Sequence, residues 1–245
     1  MPSPRKVQVF TRAEFIDGRR WRYLPGEHVS VIGPTGWGKT HLQLGLLAAT
    51  ATPELPGIVL AMKPRDSTVR DWARESGFRT VRSWPPAPPV FPWQRGWGGR
   101  LAGWVLWPRH TFDPDKDDPA HYALFRKAML DSYKRGKRIL FADEAYSLST
   151  ELGLTRELIT IWTKGRSMSC GLWSATQRPT HVPLWMYSQA HHLFLGNDPD
   201  EKARDRFKEI GGIDPQLVKS IVSELPKYHW LYIRRDGPRL CVIAP

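Results

Sequence analysis

Eight consecutive residues, Gly33-Pro34-Thr35-Gly36-Trp37-Gly38-Lys39-Thr40, follow the spacing glycine, four residues, glycine, lysine, then serine or threonine. This is the pattern of a polyphosphate cradle. Glycines let the backbone turn so that successive N–H groups face one concavity, and a following helix adds its unpaired N–H groups and positive dipole end. Lys39 would reach the β- and γ-phosphates of ATP, and the Thr40 hydroxyl would ligate Mg²⁺. A second cluster lies at Asp143-Glu144, directly after Ile139-Leu140-Phe141-Ala142. Four apolar residues suit a buried strand, and carboxylates at its carboxyl end sit where ligands gather in open parallel sheets. Asp143 is suited to the magnesium shell and Glu144 to polarising the attacking water. Such a pair alone is often only a helix cap; the upstream phosphate loop favours catalysis. Gln177, at the end of the run 171–176, could reach a γ-phosphate and report its loss, or could be a surface loop residue.

The flanking elements agree with that chemistry. Residues 29–32 are apolar and β-branched, and 41–49 are rich in helix formers, so the loop joins a strand to a helix. A second buried strand is expected at 58–62, ending in Lys63-Pro64-Arg65-Asp66, with a helix over 67–75. Further strands are expected at 7–10, 20–23, 81–84, 103–107, 171–175 and 191–195, and helices at 121–134, 150–164 and 200–209. Gly165 would cap the 150–164 helix. Segments 228–234 and 239–243, joined by Asp236-Gly237-Pro238, form a closing β-hairpin. The expected architecture is α/β, one P-loop ATPase domain over 1–245 with 1–22 as an N-terminal arm.

Residues 85–103 break the pattern with dense proline and glycine, which excludes regular structure and marks a loop insertion. Arg95 and Arg100, beside Trp93 and Trp97, would suit contact with DNA; the alternative is a loop packed on its own domain. The acidic stretch 113–118 reads as a turn and helix start, with a metal role as the alternative. His191-His192 has no third ligand nearby, so metal binding there is disfavoured.

The chain has 36 Lys and Arg against 24 Asp and Glu, a net charge of +12, and that self-repulsion points to nucleic acid as the leading partner, with an acidic protein or a membrane surface as the alternatives. Two cysteines without metal-binding spacing argue against a disulfide framework and against structural zinc. With no apolar run long enough for a signal peptide or a membrane span, a cytoplasmic setting is expected. Twelve tryptophans could serve base stacking but are more simply packing.

The phosphate loop, the strand ending Asp143-Glu144, and above all Gly165-Arg166-Ser167 through Gly171-Leu172-Trp173-Ser174-Ala175-Thr176-Gln177-Arg178-Pro179 with Val182-Pro183 resemble the FtsK/HerA superfamily of ring-forming DNA-pumping ATPases. The resemblance runs from about Tyr23 to Arg235. It implies a RecA-like, mostly parallel sheet flanked by helices, with the sensor strand between the phosphate-loop and acidic strands. It also implies a homo-oligomeric ring, hexameric by preference or pentameric, acting on double-stranded DNA. An arginine finger would enter the neighbour's site. Arg166 is the favoured finger from its position between acidic and sensor strands; the family's arginine usually lies nearer the glycine that opens the sensor strand, so Arg156 and Arg178 remain candidates. Without a membrane anchor, winged helix or barrel extension, the chain looks most like viral and phage genome-packaging ATPases. Such a protein would work in the host cytoplasm or on the virion, at a portal or capsid vertex.

Overall fold

The computed structural model describes residues 7–18, 20–87, 101–177, 184–198, 200–210, 212–236 and 239–245. Among these, ten strands form one sheet: β1 (Gln8–Thr11), β2 (Val29–Ile32), β3 (Gly57–Leu60), β4 (Phe78–Val81), β5 (Gly103–Leu106), β6 (Arg138–Ala142), β7 (Cys170–Thr176), β8 (His192–Leu195), β9 (Trp230–Arg234) and β10 (Arg239–Ala244). Their order is β1-β10-β9-β8-β2-β7-β6-β3-β5-β4. Strands β2 to β8 are mutually parallel, β9 runs against both β8 and β10, and β1 is parallel to β10. The sheet is therefore mostly parallel with an antiparallel C-terminal pair, as expected. β7 lies between β2 and β6, the sensor-strand position that the resemblance implied.

Alternate residues of the central strands enter two separate cores. Ile58, Leu60, Leu140 and Leu172 join one; Val59, Phe141 and Trp173 join the other. Burial on both faces is why these strands read as unbroken apolar runs. Helices α1 (Arg12–Asp17), α2 (Lys39–Thr50) and α3 (Ser67–Glu75) cover one face with Phe15, Leu42 and Val69. The other face is covered by α4 (Pro114–Arg135), α5 (Thr155–Lys164) and α6 (Trp185–Ser188), then, after the short α7 (Glu201–Asp205), by α8 (Pro215–Ser223).

Several expectations are corrected. Residues 20–23 are not a strand; Trp21 donates to Thr50 Oγ1 at 2.8 Å and Tyr23 to the Glu27 carbonyl at 2.8 Å, so aromatic packing replaces sheet pairing. The strand expected at 81–84 lies at Phe78–Val81, ahead of Trp84-Pro85, because proline offers no N–H to a ladder. The helix expected at 121–134 begins earlier, at Pro114, because Asp113 caps it by accepting from the Asp115 N–H at 3.2 Å. Asp117 staples the preceding loop by accepting N–H bonds from Thr111 and Phe112. Together these account for much of the acidic stretch without a metal. The helix expected over 150–164 starts only at Thr155, after a π-helical turn Ser147–Glu151. Gly165 is right-handed (φ −60°) and leads into a 3-10 turn, whereas Ser169 takes the left-handed position (φ 54°). Gly165 is instead a place of close approach, since a Cβ there would lie 2.4 Å from the Cys170 carbonyl oxygen. The helix expected over 200–209 divides into α7 and a 3-10 turn Arg206–Glu209.

His192 is held between Tyr232 Oη and Glu27 Oε2, each at 2.9 Å, and His191 Nδ1 accepts from the His28 N–H at 3.2 Å. Among the described residues no group of three or more His, Cys, Asp or Glu side chains could hold a metal ion. None of the described tryptophans is exposed, which supports packing over base stacking. No helix of the described residues is long and apolar enough to cross a membrane. Arg95 and Arg100, with most of the 85–103 insertion, lie outside the described residues, as do Arg178 and the hairpin turn at 237–238.

Candidate nucleotide site

Where β2 ends at the carboxyl edge of the sheet, the chain turns through Gly36 (φ 73°) and Gly38 (φ 84°) into α2. Both glycines sit in the left-handed region that other residues avoid, so the motif's glycines shape this turn directly. Its position depends on distant residues. The Trp37 indole N–H donates to the His229 carbonyl at 3.1 Å, and its ring lies so close to Gly196 that a Cβ there would meet Trp37 Cδ1 at 2.7 Å.

The loop borders a cleft of about 570 Å³ lined by Thr35, Lys39, Thr40, Asp143, Glu144 and Gln177 among others. The strand order β2-β7-β6 brings these together from three stretches of chain. Thr40 Oγ1 donates to Asp143 Oδ1 at 2.7 Å. Thr35 Oγ1 donates to Gln177 Oε1 at 2.5 Å, linking the loop to the end of β7. Lys39 Nζ donates to the carbonyls of Gly33 (2.9 Å) and Pro34 (2.8 Å), folding back on its own loop. Beyond Glu144, after Ala145 and Tyr146, comes the π-helical turn, where the Leu152 N–H reaches the Ser147 carbonyl at 3.0 Å; such turns often mark functional sites.

Burial raises the Glu144 carboxyl above its usual range, outweighing the Tyr146 N–H and the Lys39 charge. A carboxylate raised in this way is a stronger proton acceptor than an exposed one. Burial also lowers the Lys39 ammonium, although Glu144 and Asp143 pull the other way. Lys63 is the residue the sequence reading missed. Its Nζ lies 3.0 Å from Asp143 Oδ2 and 3.5 Å from Asp66 Oδ2. Burial would lower it, but the Asp143 carboxylate prevails and its net shift is upward. The available signal was a lysine at the carboxyl end of a buried strand; that β3 pairs with β6 could not be read locally.

Arg166 does not join this cleft. It lies in the 3-10 turn before β7, whereas Gln177 follows the strand's other end, and seven strand residues separate them by about 20 Å. Arg166 instead borders a smaller pocket with His28, His191 and Arg235 at the amino edge. Arg156 is exposed in the first turn of α5. Among the described residues lining the cleft beside Lys39 there is no arginine.

No protein-family model and no curated protein matches the sequence. Solved structures do share the fold. The genome packaging NTPase B204 from Sulfolobus turreted icosahedral virus 2, in complex with sulfate, is 16% identical with a TM-score of 0.61 over 91% of this chain and 98% of that one. The chain shares the fold of this NTPase. VirB4 of Thermoanaerobacter pseudethanolicus is 11% identical, TM-score 0.58, over 89% of each chain. EssC (ATPases 2 and 3) from Geobacillus thermodenitrificans is 14% identical, TM-score 0.53, over 92% of this chain but 41% of that one. B204 has also been solved with AMPPCP, AMP and ATP-gammaS, so nucleotide ligands are established within this fold.

Proposed function

We propose that the protein is an ATP-hydrolysing ring motor, a single P-loop ATPase domain that translocates double-stranded DNA, most simply to package a viral genome into a capsid. The observation that carries this reading is a cleft holding phosphate loop, acidic pair and amide but no described arginine, while Arg166 stands at the opposite edge of the same sheet. A cleft so furnished is one half of a shared site. The other half comes from the next subunit of a hexameric or pentameric ring.

Thr40 and Asp143 present hydroxyl and carboxylate oxygens already 2.7 Å apart, the hard donor set that Mg²⁺ prefers, so these residues fit the metal and would hold it. When bound, Mg²⁺ supplies neutralisation of charge on the β- and γ-phosphates. Lys39 exchanges its loop carbonyls for phosphate oxygens. Glu144 accepts the proton of the attacking water. Gln177 leaves Thr35 to contact the γ-phosphate and returns when it is lost, coupling hydrolysis to the end of β7. Arg166 of the neighbouring copy stabilises the transition-state charge; Arg156 and Arg178 are the alternatives. The charge of +12, with Arg95 and Arg100 in a segment free of acidic residues, suits contacts to DNA phosphates that are insensitive to sequence and sensitive to salt. A portal or capsid vertex is the fitting partner, in the host cytoplasm or on the virion.

The test is phosphate release with and without double-stranded DNA, together with particle imaging. The motor reading expects stimulation by DNA and closed rings. Strand displacement on a forked duplex would favour a helicase, end-processing or conjugation motor. An unchanged rate on adding DNA would favour an assembly or secretion ATPase, a reading to which the likeness to EssC and to the cytoplasmic domain of the Type VII Secretion ATPase EccC lends weight.

A further inference from the structure

One aromatic side chain at the mouth of the cleft takes no part in holding phosphate or metal. Tyr228 lies in the turn before β9, is 42% exposed, and lines the cleft beside Gly38 and Lys39. Its ring faces the glycine that opens α2: a Cβ on Gly38 would lie 3.4 Å from Tyr228 Cδ1. Its backbone has φ 67°, in the left-handed region that disfavours any residue with a Cβ. The turn is nevertheless well held, for the His229 N–H donates to the Pro226 carbonyl at 3.1 Å and the His229 carbonyl accepts from Trp37 of the phosphate loop. A strained backbone that presents an exposed ring to a cleft, and is tied to that cleft's own loop, contributes little to a core and points to a ligand contact.

We propose that Tyr228 is the platform on which the base of the bound nucleoside triphosphate stacks, an inference that rests on the nucleotide reading of this cleft. With the phosphates in the concavity of the loop, the nucleoside extends along the cleft wall. Of the described lining residues only Tyr228 and His41 carry a flat ring, and Tyr228 offers the larger apolar face. Stacking reads ring area rather than the hydrogen-bonding edge, so the site should favour purine over pyrimidine triphosphates and treat ATP and GTP alike.

The test compares affinities of the full chain for the magnesium complexes of ATP, GTP, CTP and inorganic tripolyphosphate by calorimetry. Tyr228→Asn removes the ring while keeping a residue that tolerates the left-handed conformation. The wild-type chain should bind ATP and GTP on the order of tenfold more tightly than tripolyphosphate, with CTP between. Tyr228→Asn should erase that gap while leaving tripolyphosphate affinity unchanged, and Tyr228→Phe should restore it. A gap that survives in Tyr228→Asn overturns the proposal, as does an equal weakening of ATP and tripolyphosphate, which would make the turn a support for the phosphate loop. Wild-type protein that binds tripolyphosphate as tightly as ATP would remove the platform and leave the phosphate site standing. Wild-type protein that binds neither would remove both.

Discussion

The two edges of the central sheet use polar residues in opposite ways. At the amino edge, buried groups are held by partners that a ligand does not replace. His192 spans Tyr232 and Glu27, and His28 Nδ1 accepts from the Leu172 N–H at 3.0 Å. Burial would raise the Glu27 carboxyl, but its bonds from His192 and the Leu24 N–H, with Arg234 nearby, hold it low. At the carboxyl edge the partners are provisional: Lys39 rests on its own loop's carbonyls, Thr40 on Asp143, and Lys63 on Asp143 and Asp66. Each of these contacts is one that phosphate oxygens or a cation would improve. Buried groups with fixed partners stabilise a fold, whereas half-buried groups with replaceable partners are available for chemistry. Arg166 departs from its own edge, being exposed beside that stabilising network.

The strongest test of the contrast is Arg166→Ala. A finger acting in trans predicts a fall in turnover of about 10³–10⁵ with an unchanged ATP-induced thermal shift. Mixing Arg166→Ala with Glu144→Gln protein should recover part of the rate, because mixed rings pair an intact cleft with an intact Arg166. Wild-type turnover by Arg166→Ala alone would leave the amino edge purely structural and move the finger to Arg156 or Arg178. At the carboxyl edge, Glu144→Gln should retain ATP binding and lose about 10²–10⁴ in phosphate release. Because the Glu144 carboxyl is raised and a general base must be deprotonated to act, the proposed role predicts that the wild-type rate falls as pH drops through that raised pKa. Lys39→Ala should abolish the ATP-induced thermal shift, and retention of the shift would argue against the phosphate loop.

The amino edge should reveal itself through stability. Burial pushes His28 from 6.5 down to about 3, so unfolding exposes a site that takes up a proton which the folded state refuses. The contribution is fully present above pH 6.5 and declines below it, by about 1.4 kcal/mol per pH unit, until the folded-state value is reached. Thermal midpoints measured from pH 7.5 to 4.5 should show this acid limb, and His28→Gln should make it shallower; an identical slope would place the effect elsewhere. The smallest effect is expected at Lys63, whose pairs involve a side chain 59% exposed. Replacing it with Met removes a competitor for Asp143 and should lower the Mg²⁺ concentration for half-maximal hydrolysis by up to about fivefold, given the modest strength of such pairs. A higher Mg²⁺ requirement would mean that Lys63 supports the site rather than competing for it.

Much of this comparison was legible in the chain. The turn between β2 and α2 could be read because the glycines at 36 and 38 encode it, and the buried strands because apolar runs covered on both faces leave a local trace. The helix over Ser67–Glu75 was read correctly from its composition, and the structure adds an N-cap at Asp66. The misses have local causes as well. Residues 20–23 carry strand-like aromatics that pack on neighbouring aromatic rings instead, and the short helices α1 and α6 hold too few turns for periodicity to register.

What the sequence determined by itself was the chemistry on offer and the α/β class, because turn glycines, strand periodicity and a terminal acidic pair are written within a few residues of one another. The tertiary structure decided which groups meet. Lys63 reaches Asp143 across 80 residues, and Trp37 reaches the His229 carbonyl across 192. Only the pairing order of the strands places Gln177 beside Thr35 and carries Arg166 to the far edge. Those contacts depend on which strands pair and how closely loops approach, and neither is encoded in any short stretch of chain.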